Sequence, residues 1–374
     1  MEGEAVHIRE YPRVRDPALG RVLAAQVERP GPMARLRAFC HRLGRRVSGV
    51  ARSASRSRRT VLFYRDLMGF TGGHLKVWDY FNHVLSSPDH LPLILVSKRT
   101  RWDEQNPWLG HRRHALTPAQ GVRPDILFLA GLDWVLLDAQ QRPHPSVPVI
   151  NLIQGTTHAD PTDLRYGFLR RKAIRICLGD ELATAIAETG QVNGPVFVIP
   201  AGIDLTGLPR EVEPGEREWD ILIVARKQPA LGRHLLGRLT APGRRVALLD
   251  AELPTRAEFL SRIARARITV FLPFADEGFF LPALEGMALG TLVVCPDCVG
   301  NRSFCRPGDN CFRPTYSVDE LLEAAEAALR QPAAERDRML ASARRTAREH
   351  DLMEERRAFL GILEDAGRLW GRMP

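Results

Sequence analysis

Short apolar runs alternate with stretches of helical spacing along the chain from residue 60 onward. In the first part of this region, the apolar runs cover residues 60–64, 91–96, 125–129, 134–137, 147–153, 174–178 and 196–199. Runs of this length that alternate with helices are typical of buried parallel strands, because helices cover both faces of such a sheet. The pattern therefore predicts a doubly wound α/β domain.

The same pattern starts again after a polar segment. Residues 208–219 carry Pro and Gly among charged residues, which is typical of an interdomain linker. Four further apolar runs follow at 221–224, 245–249, 268–272 and 291–294, and surface helices are predicted at 318–330 and 333–350. The sequence thus predicts an N-terminal extension at 1–59, α/β domains at 60–207 and 208–355, and a closing helical segment at 356–374.

Composition adds one asymmetry, which is confined to the start of the chain. The 374 residues are 44% hydrophobic and 26% charged, as in ordinary globular proteins, and the net charge is +9. Residues 1–59 hold 14 Arg and five acidic residues, so they account for the whole excess. Apolar residues spaced by three and four between the arginines of 33–51 predict a basic amphipathic helix.

Three interpretations of this basic extension stay open. A basic amphipathic helix suits an anionic membrane surface, and a helix docked on the body or a solvated arm fits the pattern as well. Nucleic acid is not an expected partner, because residues 33–59 contain a single aromatic, Phe39, and offer no stacking platform. No run of 18 apolar residues occurs, so no transmembrane helix is predicted. Six cysteines in 374 residues do not suggest a disulfide framework, so we expect a cytoplasmic protein, with the inner membrane face as the alternative location.

The segment 274–314 is the most informative about chemistry. Glu277 follows the apolar run 268–272 and is predicted to lie on a loop, and Leu281-Pro282 then starts a helix with Glu285 in its first turn. Both carboxylates would lie at the carboxyl end of the sheet, where they can accept hydrogen bonds from sugar or ribose hydroxyls. On spacing alone, the simpler interpretation is one Glu that stabilises a helix start and one surface Glu.

The full string favours the first interpretation. Glu277-Gly-Phe-Phe-Leu-Pro-Ala-Leu-Glu285-Gly-Met-Ala-Leu-Gly290 resembles the E-x7-E signature of retaining GT-B glycosyltransferases, the glycogen-synthase-like "glycosyl transferases group 1" class. The glycine loop 69–73, the segment 198–204 and the run 221–226 resemble further parts of this family. The resemblance covers about residues 60–370. It implies a GT-B fold, in which two Rossmann-like doubly wound domains face each other across a cleft and the last helix crosses back to the first domain.

The resemblance also implies a role for each matching residue. Glu277 would contact hydroxyls of the donor sugar, Glu285 the nucleotide ribose, and Arg226 the diphosphate. Negative charge develops on the departing diphosphate, and fixed cations would offset this charge without a metal ion. The implied catalytic residues are Glu277, Arg226 and His158. The implied donor-binding residues are Glu285, Gly278, Phe279, Phe280, Lys227 and Arg302. The glycine loop on the acceptor side contributes Gly72, Gly73 and His74. No cofactor is implied beyond the nucleotide-sugar substrate, of the UDP or GDP type.

Three positions depart from the family pattern. The family places a Lys five residues after the Arg, where this chain has Leu231, and Lys227 or Arg233 would substitute for it. Where the family has G-G-x-x-E, this chain has Gly300-Asn301-Arg302-Ser303. A family His falls near Gln154, and His158 is the predicted replacement.

Four cysteines, Cys295, Cys298, Cys305 and Cys311, follow the E-x7-E string. Their spacing, C-x2-C-x6-C-x5-C, leaves two interpretations open, small buried thiols or a tetrahedral zinc site.

The resemblance implies metal-independent transfer of a sugar, with retention of configuration, from a nucleotide sugar to an acceptor hydroxyl. The acceptor is a glycan, a lipid-linked molecule or a small molecule. The alternative is a catalytically silent GT-B module that binds an anionic surface or partner through its basic extension. The Leu at position 231 favours the alternative, and the Glu277/Glu285 pair favours the enzyme.

Overall fold

A computed structural model of the chain describes residues 58–65, 67, 72–97, 99–117, 121–139, 144–251, 253 and 255–373. The basic amphipathic helix predicted at 33–51 and residues 69–71 of the glycine loop lie outside the described residues, so both stay predictions. Among the described residues, no helix has the length and apolar character that crossing a bilayer demands.

These residues form two compact units. The first unit comprises residues 58–177, 185–199 and 356–373, and the second comprises residues 178–184 and 200–355. Residues 200–207, which were predicted to belong to the first domain, therefore group with the second unit.

A seven-stranded parallel sheet organises the first unit. Its strands are β1 (Arg59–Arg65), β2 (His90–Val96), β3 (Ala115–Leu116), β4 (Ile126–Ala130), β5 (Val149–Ile153), β6 (Ile174–Cys177) and β7 (Val196–Val198). They lie in the order β3-β2-β1-β4-β5-β6-β7. The order reverses between β1 and β4, and open α/β sheets bind ligands at the carboxyl ends of the strands that flank such a switch point.

The helices of this half of the chain are α1 (Gly72–Leu85), α2 (Asp133–Ala139) and α3 (Asp180–Glu188). The prediction of a strand at 134–137 is wrong, because these residues form α2. Asp133 starts the helix, where its carboxylate accepts a hydrogen bond from the Ala130 N–H at 2.8 Å. A run of four apolar residues fits a buried helix as well as a buried strand, because at this length the spacing of apolar residues does not distinguish the two elements.

The second unit contains a four-stranded parallel sheet. Its strands are β8 (Trp219–Val224), β9 (Val246–Leu249), β10 (Ala266–Phe271) and β11 (Leu292–Val294), in the order β11-β10-β8-β9. All four strands predicted for this half are confirmed. Here the switch point lies between β8 and β10, which are hydrogen-bonded neighbours with Ile268 opposite Ile221.

Six further α-helices occur in the described part of the chain. They are α4 (Pro229–Leu239), α5 (Arg256–Ala264), α6 (Leu281–Ala288), α7 (Val318–Arg330), α8 (Ala333–Glu349) and α9 (Leu352–Gly371). The surface helices predicted at 318–330 and 333–350 are confirmed as α7 and α8. Ser317 caps α7, where its hydroxyl accepts a hydrogen bond from the Glu320 N–H.

Each unit has its own apolar core. In the second unit, Ile221 and Val270 of the sheet pack in one buried cluster with Leu235 of α4 and Leu321 of α7. In the first unit, the α9 residue Phe359 makes an edge contact with Tyr80 at 4.7 Å between ring centroids. Each such large apolar side chain contributes about 1.5–3 kcal/mol on burial, so both sheets are held as rigid platforms for the loops at their carboxyl ends.

Candidate functional site

The carboxyl ends of β8 and β10 carry opposite charges. Because the two strands are parallel neighbours, the residues that follow them lie at the same edge of the sheet. Arg226 and Lys227 follow β8, and Glu277 lies on the loop after β10. Lys227 Nζ forms an ion pair with Glu277 Oε2, and the two side chains are 34% and 16% exposed. The structure therefore brings two predicted site residues together at the switch point.

Glu285 is the second predicted carboxylate, and it is fully buried. Its Oε1 forms an ion pair with Nη2 of Arg256, whose side chain is 36% exposed. Its Oε2 has no hydrogen-bond partner among the described residues. Buried carboxylate oxygens are nearly always paired, so this one is an open acceptor. Because α6 begins at Leu281, Glu285 lies in the second helical turn and not, as predicted, in the first.

The two phenylalanines between the glutamates have different surroundings. Phe280 is buried and packs edge-on against Phe271 at 5.9 Å between centroids. Phe279 is half-buried, with its ring 5.3 Å from that of Phe304 and 5.8 Å from that of His350. The loop that carries Glu277 is therefore anchored by aromatic contacts just after the carboxylate, while Gly278 between them adds no side chain.

A turn between β11 and α7 supports the Glu277 loop through its backbone. The Val299 N–H donates to the Ala275 carbonyl at 3.1 Å, and the Phe280 N–H donates to the Gly300 carbonyl at 3.0 Å. A Cβ on Gly300 would lie 2.5 Å from the Phe279 backbone. The turn and the loop can therefore approach this closely only because Gly300 has no side chain. These contacts fix the loop on both sides of Glu277.

Asn301 holds this turn together from inside. The residue is fully buried, and its amide nitrogen donates to Cys295 Sγ at 3.2 Å and to the Pro296 carbonyl at 2.9 Å. Its amide oxygen accepts from the Cys298 N–H at 3.2 Å. The Asn that replaces a Gly of the family pattern therefore satisfies a buried turn.

Tyr316 supports the start of the same loop. Its hydroxyl donates to the Pro273 carbonyl at 2.6 Å. Burial raises the pKa of the Tyr316 hydroxyl above its ordinary value, and negative charge at Glu277 acts in the same direction. The hydroxyl thus stays protonated and remains a donor at all working pH values.

The remaining cations of the second unit differ in their placement. Arg226 is exposed, with its guanidinium 5.9 Å from the Phe259 ring centroid. Leu231, at the position of the family Lys, is buried in the core. Arg233 forms an ion pair with Asp250 at 2.8 Å on the surface. Arg302 is exposed and paired with Asp297 at 2.7 Å, which raises the pKa of the guanidinium. Of the two substitutes for the family Lys, only Lys227 contacts Glu277.

In the first unit, the described part of the glycine loop starts a helix. Gly72, Gly73 and His74 are the first residues of α1, which follows β1 at the switch point. The Gly73 carbonyl accepts from Gln154 Nε2 at 3.0 Å and from Arg65 Nη2 at 3.3 Å. Gln154, the residue near which the family His falls, therefore holds the start of α1.

His158 lies in a short 3₁₀ turn, Thr156–Ala159, and is 2% exposed. Burial lowers the pKa of its imidazole to about 4, and the Arg165 cation adds to the shift. Its Nδ1 donates to the Gly155 carbonyl at 3.3 Å, while Nε2 is buried with no hydrogen-bond partner among the described residues. The ring is therefore neutral at pH 7, and its catalytic role stays a prediction.

The four cysteines that follow β11 are all buried, and they carry free thiols. Burial raises the pKa of the Cys295 and Cys305 thiols, and the neighbouring Cys298 and Cys311 act in the same direction. Within the described part of the chain, no group of three His, Cys, Asp or Glu side chains is arranged to hold a metal ion.

Sequence reasoning missed Arg256 and Tyr316. Arg256 follows Thr255, whose hydroxyl accepts from the Glu258 N–H at 3.1 Å and caps α5. The string Thr-Arg-Ala-Glu is a helix-start signal after an apolar run, so it indicates an Arg at the carboxyl edge of the sheet. Tyr316 offered no comparable signal.

Solved structures with a similar fold cover most of the chain. The Anabaena protein HepE, in complex with UDP and glucose, superposes with a TM-score of 0.64 at 13% identity, over 82% of this chain and 100% of that one. Sucrose-phosphate synthase from Thermosynechococcus elongatus gives a TM-score of 0.62 at 12% identity, over 82% and 99%. The lipopolysaccharide outer core galactosyltransferase WaaB gives 0.57 at 13% identity, over 82% and 99%.

No protein-family model matches the sequence, and no curated protein matches it either. The structural similarity establishes the fold, which is the GT-B type with two Rossmann-like α/β units. The predicted fold class is thus confirmed.

Proposed function

We propose that the chain is a glycosyltransferase that moves a sugar from a nucleotide-sugar donor to an acceptor hydroxyl. The observation that carries this proposal is the pairing of two glutamates with cations at the carboxyl edge of the second sheet, where Glu285 keeps one buried oxygen open. The fold supports it, since the solved structures of HepE hold UDP with glucose and UDP-glucose. We therefore favour a UDP-type donor over GDP.

The proposed chemistry is stabilisation of the leaving group. As the bond from the sugar to the diphosphate breaks, negative charge builds on the diphosphate oxygens, and Lys227 and Arg226 offset it. Glu277 accepts hydrogen bonds from the sugar hydroxyls, and Glu285 accepts one from the ribose. In this proposal the reaction retains configuration and needs no metal ion, because fixed cations supply the positive charge.

Acceptor recognition is assigned to the first unit. We propose that the start of α1, with Gly72, Gly73 and His74, faces the acceptor side, because the first N–H groups of a helix have no partner within the helix. Association of residues 33–59 with an anionic membrane surface stays a proposal that sedimentation of the full chain with anionic vesicles would test.

Nucleotide binding tests the proposal most directly. We expect UDP to raise the free energy of unfolding by about 2.7 kcal/mol at a concentration 100 times Kd. A higher melting temperature would report this stabilisation. Glu285→Ala should abolish this gain, because it removes the ribose acceptor. Glu323→Ala, an exposed Glu on α7, is the matched control and should keep the full gain.

Turnover completes the test. Mass spectrometry of products from a panel of nucleotide sugars and acceptors should show a glycosylated product with the wild type. If no nucleoside diphosphate among UDP, GDP and ADP stabilises the protein, the proposed function is wrong. Nucleotide binding without turnover of any donor would instead favour a silent binding module.

A further inference from the structure

A charge pair connects the interior of the second unit to its surface. Glu285 is fully buried on α6, and its ion-pair partner Arg256 stands in the first turn of α5 with its side chain 36% exposed. The two residues are 29 positions apart in sequence, so the tertiary fold brings them together. A buried carboxylate without a compensating charge is strongly disfavoured, and Arg256 supplies that charge to Glu285.

The two carboxylate oxygens of Glu285 differ in their surroundings. Oε1 of Glu285 is held by Arg256, whereas Oε2 is buried and has no hydrogen-bond partner among the described residues. A carboxylate with one oxygen held cannot rotate freely, so the position of its other oxygen is fixed as well. The open oxygen is then a single, preorganised acceptor, which suits one hydroxyl group.

We propose that Arg256 is a positioning residue for nucleotide recognition, which holds Glu285 so that its open oxygen accepts a hydrogen bond from one ribose hydroxyl. This inference rests on the proposed function and adds to it a source of ribose selectivity. Arg256 acts through Glu285, so its removal lowers selectivity for ribose over deoxyribose.

The test compares one nucleoside diphosphate with its deoxy analogues. Binding of UDP, 2′-deoxy-UDP and 3′-deoxy-UDP to the full chain is measured by calorimetry, with GDP or ADP and their analogues used instead if one of them binds more tightly. In the wild type, loss of the recognised hydroxyl should weaken binding roughly 10- to 100-fold, as expected for a hydrogen bond to a charged group. In Arg256→Gln, the ratio should fall below about threefold, and Arg256→Lys should restore part of it.

Two further variants separate positioning from other roles. Arg262→Gln changes an exposed Arg on the same helix, paired with Glu258, and should keep the wild-type ratio. In a double-mutant cycle, Arg256→Gln should add no further loss of selectivity in a Glu285→Gln background. If Arg256→Gln alone fails to fold, Arg256→Lys carries the test, and its ratio should fall below that of the wild type.

The outcomes are distinct. If Arg256→Gln weakens UDP and both deoxy analogues equally, Arg256 contacts another part of the nucleotide and the inference is wrong, while nucleotide binding stands. Unchanged selectivity in a folded Arg256→Gln variant overturns it too. If the wild type binds none of the nucleotides, the proposed function fails, and this inference fails with it.

Discussion

At the scale of single residues, the candidate site is defined by ion pairs between cations and carboxylates. Leu231 occupies the position of the family Lys, but its side chain is buried in the core of the second unit. Lys227, four residues earlier, reaches Glu277 instead. The sequence supplies both residues, yet only the structure separates the core position from the one at the site.

Replacement of Lys227 tests this substitution. Lys227→Met should lower kcat for donor turnover roughly 100-fold, because one fixed charge facing the leaving diphosphate is lost. Steady-state kinetics with the best donor measures it. Arg233→Met, which removes a surface cation paired with Asp250, should leave kcat unchanged. A Lys227→Met enzyme with wild-type kcat contradicts the assignment.

His158 predicts a dependence of stability on pH. Its folded pKa is about 4, below the ordinary value near 6.5, so the unfolded state binds more protons between these two pH values. The stability of the first unit should therefore be full above pH 6.5 and fall as the pH drops toward 4, by up to about 3 kcal/mol.

Thermal unfolding of the wild type and His158→Gln from pH 7.5 to 4.5 measures this contribution. Other histidines with lowered pKa values, such as His350, act in the same direction in both proteins. The difference between the two curves isolates His158, and it should shrink as the pH falls. Parallel curves over the whole range would show that His158 does not titrate as proposed.

At the scale of elements, the turn 295–301 determines how firmly the Glu277 loop is held. Its contacts to that loop come from backbone atoms, so they depend on the shape of the turn. In the sequence, Gly300-Asn301 is visible only as a departure from the family pattern. The contacts could not be predicted, because close approach of two backbones leaves no periodic signal in a sequence.

Gly300→Ala tests this support. The added Cβ would lie 2.5 Å from the Phe279 backbone, so the loop must move. We expect kcat/KM for the donor to fall at least 10-fold and stability to fall by about 1–3 kcal/mol. Gly367→Ala on α9, where a Cβ meets nothing within 4 Å, should keep kcat/KM and should not lower stability, because Ala is the better helix former. Full activity of Gly300→Ala would mean that the loop tolerates displacement.

At the scale of the whole molecule, hydrophobic patterning predicted most of the architecture. Ten of the eleven strands in the described residues correspond to predicted apolar runs. The two-residue strand β3 was missed because it is too short to show a period, and α2 was taken for a strand because four apolar residues fit either element.

The candidate site was predicted in part, since Glu277, Glu285 and Lys227 were found from a linear motif. Arg256 and Tyr316 were missed because their partners lie 29 and 43 residues away. Contacts between distant positions depend on the tertiary fold, which a single sequence does not display.

The Lys227–Glu277 pair has a consequence for how a donor would be bound. In the structure, the Lys227 ammonium and the Glu277 carboxylate neutralise each other. Under the proposed function, a diphosphate that drew Lys227 toward itself would free Glu277 for the sugar hydroxyls in the same movement. Binding of the diphosphate and binding of the sugar would then be coupled, because each requires the Lys227–Glu277 ion pair to separate.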